Sequence, residues 1–305
     1  MRILTDLQVN FMGKRKLMYL LSGTIILAGF ISILVRGLAF GLDFTGGTEI
    51  IFRFPRAVEI GELRQIMTRA NVGTFEIKSF GANTDYIIRT EQKGVGGTIS
   101  NAVKDALNKE FNNKLVLLQE NRVEAKIGSE MRQDAVLAIL AALVGILLFI
   151  AFRFKFVFGV GAVLALFHDV LLTLGIVSLS TGLIPGLNLE FDQAMVAAFL
   201  TLIGYSINDT VIVFDRVREN MKLFKTGDFE DTINKSVNKT MSRTILTGGT
   251  TLLAMFSLLF FGGEPTRGFA YTMTIGIITG TYSSVFVASA MTLDWVKYKK
   301  TKVTF

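Results

Sequence analysis

Six stretches of this chain are apolar at nearly every position, and about a hundred residues of shorter-period patterning separate the first from the second. The apolar stretches run about 17–35, 134–152, 156–179, 191–214, 244–262 and 268–292. A helix needs about 20 mostly apolar residues to cross a bilayer, so each stretch predicts one membrane span. Only Arg153–Phe154–Lys155 divides the second from the third, which predicts a tight helical hairpin. The first run follows Lys14, Arg15 and Lys16. It is too long for a signal-peptide core and no A-x-A-like site follows it, so it reads as a retained helix.

Between the first two spans the periods shorten. Thr48–Phe54 reads as a strand ended by Pro55. Ile60, Leu63, Ile66, Met67 and Ala70 recur at helical spacing, and Asn71 and Gly73 stop that helix. A strand from Phe75 to Phe80, a turn at Gly81–Ala82–Asn83 and a strand at Tyr86–Arg89 follow. Ile99, Val103, Ala106, Leu107 and Phe111 mark a second helix, and a last strand starts at Leu115 and continues to about Ile127. The order βαββαβ fits a ferredoxin-like sandwich. The predicted fold class is therefore an α-helical polytopic membrane protein with six transmembrane helices and one α+β ferredoxin-like extracytoplasmic domain. Its expected divisions are 1–35 (N-terminus and first span), 36–132 (outer domain), 133–293 (spans two to six) and 294–305 (basic tail).

Composition agrees: half of the 305 residues are hydrophobic, and mean hydropathy is +0.49. Cysteine is absent, which excludes disulfides and thiolate metal sites. The net charge of +7 changes the picture only through its placement. Seventeen Lys and Arg fall in the N-terminus, the 153–155 loop, the loop between the fourth and fifth spans and the C-terminus, against Arg267 alone in the short loops opposite. Positive residues favour the cytoplasmic side, so both termini are expected there and 36–132 outside. The basic excess is thus a topology signal and not a nucleic-acid surface. Gly94–Val95–Gly96–Gly97 lacks the Lys-Ser/Thr of a phosphate loop and reads as a linker. With no Walker motif and no nucleophile–base pair in the outer domain, no enzymatic activity, cofactor or metal is expected.

The candidate chemistry lies inside the apolar runs. Asp209 sits in the fourth, where a carboxylate costs roughly 2.5–3.5 kcal/mol on insertion scales and tends to mark an ion pathway. Tyr205 and Ser206 precede it by four and three residues and share its face, with Asn208 and Thr210 beside it. His168, the single histidine, and Asp169 lie mid-way along the third span and are candidates for a relay or a polar intramembrane network. As neighbours on a helix they point about 100° apart and need not act together. Arg243 stands at the start of the fifth run, either as an anchor or as a counter-charge for Asp209. Asp215 reads as an interfacial ion pair, and Gly276 and Gly280 as a close-packing face beside hydroxyl residues that line the interior.

Several motifs together resemble one family. Gly41–Leu42–Asp43–Phe44–Thr45–Gly46–Gly47–Thr48, Phe167–His168–Asp169, the run Gly204–Thr210, the run Phe214–Asn220 and Gly280–Thr281–Tyr282–Ser283–Ser284 are similar, in order, to the SecF family of protein-export membrane proteins. The resemblance implies one half of a pseudo-symmetric transporter of the resistance-nodulation-division type in a bacterial inner membrane. It implies SecD, the SecYEG channel, YajC and unfolded preprotein as partners, besides membrane lipid. It implies a proton or sodium gradient as the energy source for late steps of export. Asp209 matches the family's ion-coupling carboxylate, Arg243 the arginine thought to neighbour it, and Asp43, Gly46 and Gly47 an exposed motif taken to serve folding and domain coupling. The mechanism expected from this is a change in packing of helices four to six, passed through helix one and Gly41–Gly47 to the outer domain. The rivals are half of a small-molecule or lipid transporter of the same superfamily, an intramembrane aspartyl protease built on Asp169 and Asp209, and a scaffold without ion coupling.

Overall fold

The computed structural model describes residues 8–70, 75–80, 82–90, 98–112, 114–184, 187, 189–223 and 228–299. The expected helix stop at Asn71 and Gly73, the turn residue Gly81, the run Gly94–Gly97 and the basic residues Arg2, Lys225, Lys300 and Lys302 lie outside them. In chain order the elements are α1 (Arg15–Arg36), the single turn α2 (Leu42–Thr45), β1 (Gly47–Arg53), α3 (Ile60–Arg69), β2 (Phe75–Phe80), β3 (Ala82–Thr90), α4 (Thr98–Glu110) and β4 (Val116–Val123). Then follow α5 (Ala125–Arg153), α6 (Phe156–Leu183), α7 (Gln193–Leu223), α8 (Phe229–Phe261), α9 (Glu264–Ser283), a π-helical turn (Ser284–Ala288) and α10 (Ser289–Lys299). Six of these helical stretches are long and apolar enough to cross a membrane: Met12–Arg36, Lys126–Arg153, Phe156–Thr181, Gln193–Leu223, Phe229–Phe261 and Pro265–Lys299.

The helices outrun the apolar stretches that announced them. The last strand ends at Val123 and not near Ile127, and α5 begins at Ala125, well before the apolar run that starts at Asp134. Likewise α8 begins at Phe229, so most of the expected loop before the fifth span is helix, and Arg243 lies well inside it. Asp228 precedes this helix, with Glu230 and Asp231 in its first turn, where acids favour a helix start. Thr232, Ser236 and Thr240 return their hydroxyls to the preceding turns. Hydropathy sees none of this.

The chain forms two compact units, Phe40–Ala138 with Glu190–Gln193, and the remainder. The first holds an antiparallel sheet of order β2-β3-β1-β4, in which each βαβ crossover is split by the intervening strand. Ile50, Phe52, Phe54 and Ile88 from the strands meet Leu63, Ile66 and Met67 of α3 and Val103 and Leu107 of α4 in one core. This is the expected ferredoxin-like sandwich.

The helical unit packs α6, α7 and α9 most deeply, while α5 and α8 bury little of their apolar surface within this chain. At the α1–α6 crossing, a β-carbon on Gly29 would stand 2.3 Å from the Cα of Gly175, so backbone rests on backbone. Gly276 faces Leu202 and Gly280 faces Ser206, so the two glycines bring α9 against α7 as their spacing predicts. Ahead of α1, residues 9–12 are clasped from α8. Asn238 accepts the Val9 N–H at 3.1 Å and donates to the Val9 carbonyl at 2.9 Å, and Asn234 accepts the Met12 N–H at 3.0 Å. Phe11 and Met12 are buried beneath.

Candidate functional site

The polar interior of the helical unit is built on two acids. Asp209 of α7 is buried and takes a hydrogen bond from Thr244 of α8 at 2.7 Å and from Ser284, the first residue of the π-helical turn, at 2.8 Å. Asp169 of α6 is fully buried and takes bonds from Ser206 of α7, from Ser283 of α9 at 2.6 Å and from Nδ1 of His168 at 3.0 Å. Above them Thr173 and Thr279 join hydroxyls at 3.0 Å. The site depends on close helix approach: the α9 glycines let hydroxyl side chains of α9 reach two neighbouring helices, and the π turn re-aims the residues that follow Ser283. Such turns recur at functional sites because one extra residue displaces the helix face.

Several expected placements change. Ser206 shares a helix face with Asp209 but serves Asp169, because the short serine side chain bonds across to α6 and not along its own helix. His168 and Asp169 are bonded to each other despite their divergent directions, since both side chains turn toward a common edge of α6. Tyr205 turns toward α8, its hydroxyl 3.7 Å from where a β-carbon on Gly248 would lie. Asn208 is exposed on the surface of this chain, away from both acids. Arg243 is also exposed and, among the described residues, forms no ion pair with Asp209; the next residue, Thr244, reaches the carboxylate instead. Asp215 pairs with Arg153 at 2.5 Å. The sequence reading left out Thr244, Ser283 and Ser284 as partners of the acids. The hydroxyls that follow a small-xxx-small pair were the available signal for the two serines.

The glycine-rich motif belongs to the sheet unit. Gly46 and Gly47 have φ of 71° and 126°, a region that disfavours other residues, and a β-carbon on Gly47 would lie 2.6 Å from the Thr90 carbonyl. Asp43 accepts the backbone N–H of Gln193, the first residue of α7, at 3.2 Å, where a negative charge also suits the helix dipole. Gly41 N–H bonds the Phe191 carbonyl at 3.0 Å, and Arg132 of α5 bonds the Phe44 carbonyl at 2.6 Å. Next to it, Glu190 pairs with Lys78 at 2.5 Å and Arg89 at 2.8 Å. Arg89 also holds Glu49 at 2.6 Å. Burial opposes the charge on both cations, and their acidic partners, Glu190 foremost, more than offset it, holding both above their ordinary range. Residues 190–193 are thus bound within the sheet unit, Gln193 by Asp43 and Glu190 by Lys78 and Arg89.

Residues 102–298 match the family model described as protein export membrane protein SecD/SecF, C-terminal, and residues 31–54 match the SecD/SecF GG motif. The chain is 42% identical over 295 residues to the protein translocase subunit SecF of Rhodothermus marinus, covering 96% of this chain and 95% of that one. It is 35% identical to the same subunit of Vibrio alginolyticus, covering 93% and 89%. Among solved structures, SecDF from Thermus thermophilus, described as a translocon-associated membrane protein, superposes with a TM-score of 0.85 at 34% identity. That match covers 97% of this chain and 40% of the longer one.

Proposed function

The chain belongs to the SecF family of protein translocase subunits, and from that premise we propose that it converts an ion gradient into late steps of preprotein export, with Asp209 as the coupling acid. The observation that carries this is the setting of Asp209: a carboxylate inside a membrane span whose bonded partners are two neutral hydroxyls. A carboxylate bound to a fixed cation keeps one charge state. One held by hydroxyls has partners in both states, because a hydroxyl donates to the anion and accepts from the acid. The ion is a proton or sodium, and the gradient biases two helix packings by stabilising one of them.

Thr244 and Ser284 place α8 and the α9–α10 segment in direct reach of that change. Transmission to the sheet unit runs through α7, whose first residue is held by Asp43 and whose preceding Glu190 is held by Lys78 and Arg89. SecD is the companion half, and the SecYEG channel, YajC, unfolded preprotein and lipid are the other partners. The setting is a bacterial inner membrane, with both termini cytoplasmic and the sheet unit outside. No enzymatic step and no bound cofactor is assigned.

The test is Asp209→Asn in membranes that carry SecD, measuring gradient-dependent release of a secretory protein and partner assembly in the same samples. The expected result is normal assembly with gradient dependence lost. A variant that assembles and exports like the parent makes the chain a scaffold and removes the coupling role.

A further inference from the structure

Asp169 is as enclosed as any group in the helical unit, at 0% exposure, and the coupling reading gives it no task. Three donors converge on it from three helical elements: His168 on its own helix, Ser206 on α7 and Ser283 on α9. The imidazole that completes the set is itself nine-tenths buried, with 9% side-chain exposure. Its Nδ1 faces the carboxylate while its Nε2 is buried without a hydrogen-bond partner. An enclosed polar nitrogen left unpaired is rare enough in native interiors to require a reason. The ring lies against Tyr282 at 6.0 Å between centroids, and the Tyr282 hydroxyl is occupied by Ser22 and the Met18 carbonyl. Tyr282 therefore does not supply the missing partner.

The two acids are linked through neighbouring positions. Ser206, one helical turn before Asp209, serves Asp169. Ser283 and Ser284 are consecutive, and the first serves Asp169 while the second serves Asp209. Two carboxylates in one low-dielectric interior repel each other when both are ionised, which favours a single negative charge between them. The titratable groups around them are His168 on α6, Tyr205 on α7, Tyr282 on α9 and Tyr19 on α1, and Arg243 of α8 lies beside Asp209 without bonding it. Among the described residues no Lys or Arg is ion-paired with either acid. Arg243 is thus the cation near Asp209, and beside Asp169 the counter-charge, among the described residues, is the one His168 acquires on taking a proton at Nε2.

We propose that His168 and Asp169 form a second proton-holding site that shares one proton with Asp209. This rests on the reading of Asp209 as the coupling acid. In one arrangement the proton is on the Asp209 carboxyl, and Asp169 is the anion held by its three donors. In the other the proton has left Asp209 for the His168–Asp169 pair, which becomes neutral overall, and Asp209 is the anion held by Thr244 and Ser284. One hydrogen leaves the Asp209 carboxyl and one is gained by the His168–Asp169 pair, so the two sites together carry one negative charge throughout. The site makes the ion a proton, because an imidazole that must gain and lose a hydrogen has no use for sodium.

The experiment compares Asp169→Asn, Asp169→Glu, His168→Gln and Asp209→Asn in the full chain, co-assembled with SecD in inverted membrane vesicles. It reads assembly, gradient-driven export and the pH profile of export. The expected result for Asp169→Asn is normal assembly with gradient-driven export down at least tenfold and partial rescue in Asp169→Glu. His168→Gln is expected to retain export but to lose one limb of the pH profile, which a packing role alone would leave in place. Asp169→Asn and His168→Gln both matching the parent in rate and profile, with Asp209→Asn inactive, overturns the second site and leaves the coupling reading standing. All of them matching the parent removes the coupling reading as well. Should Asp169→Asn fail to assemble, infrared difference spectra of the Asp209→Asn complex decide: a carboxyl band that still titrates is expected, and its absence overturns the proposal.

Discussion

The two units of this chain treat their most enclosed acids in opposite ways. In the sheet unit, Asp85 is gripped by both ends of the Arg53 guanidinium at 2.9 and 2.8 Å, and Glu190 lies between Lys78 and Arg89. In the helical unit, Asp169 and Asp209 lean on hydroxyls and one imidazole. The difference is not one of burial, since Asp85 and Asp209 are both buried, at 4% and 7% exposure. It is one of partner chemistry. A permanent cation fixes an acid in one state and makes it part of the fold. Neutral partners leave the acid free to change state, at the cost of stability in at least one of them. Where the chain needs rigidity it uses ion pairs over an apolar core, and where it needs a change it uses hydroxyls.

That contrast can be broken by measurement. The largest stability effect is expected from Leu63→Ala in the sheet core, about 2–5 kcal/mol, read by hydrogen exchange in β1 and β3 of the full chain. A cost under about 1 kcal/mol would mean that the apolar core does not hold this unit. Glu190→Gln comes next, at about 1–3 kcal/mol, because it takes from two partly buried cations the acid they share, leaving Lys78 with Glu76 and Arg89 with Glu49. Protection near Gln193 should fall with it; unchanged protection would detach Glu190 from the anchoring of α7. Asp209→Asn and Asp169→Asn should each shift the melting of the solubilised complex by no more than about 1 kcal/mol while export collapses. A large loss of stability from either would place these acids with the structural ones.

The smallest effect is expected from acid. The hydrogen bonds from Arg53, partly opposed by burial, hold the Asp85 carboxyl below its ordinary value of 3.8. The folded value lies below the unfolded one, so the stabilisation is complete above about pH 4 and is lost as pH falls through the folded value. Asp85→Asn should flatten the acid limb of β1–β3 protection, and an unchanged limb would assign it to other carboxylates.

The spans were legible because a bilayer tolerates only long apolar helices, and that demand is written residue by residue. The sandwich was legible because Ile50, Phe52, Ile60 and Leu63 carry the periods of strand and helix. What hydropathy could not show were the polar ends of α5 and α8, which are helical for reasons of capping and side-chain bonding. The site was half legible. Asp209 stood out by its cost, and His168 with Asp169 by position. Their partners did not, because serine and threonine are common in spans and nothing local says which of two acids Ser206 will reach. Glu190 was hidden by distance, 112 residues from the Lys78 it pairs with.

The clasp on residues 9–12 sets an order of events during synthesis. Val9 and Asn238 are 229 residues apart, and Met12 and Asn234 are 222 apart. The segment that leaves the ribosome early has no docking surface until four further spans and the first turns of α8 have been made. Its closure therefore waits for the first turns of α8, so the earliest part of the helical unit is completed by one of the last to be made.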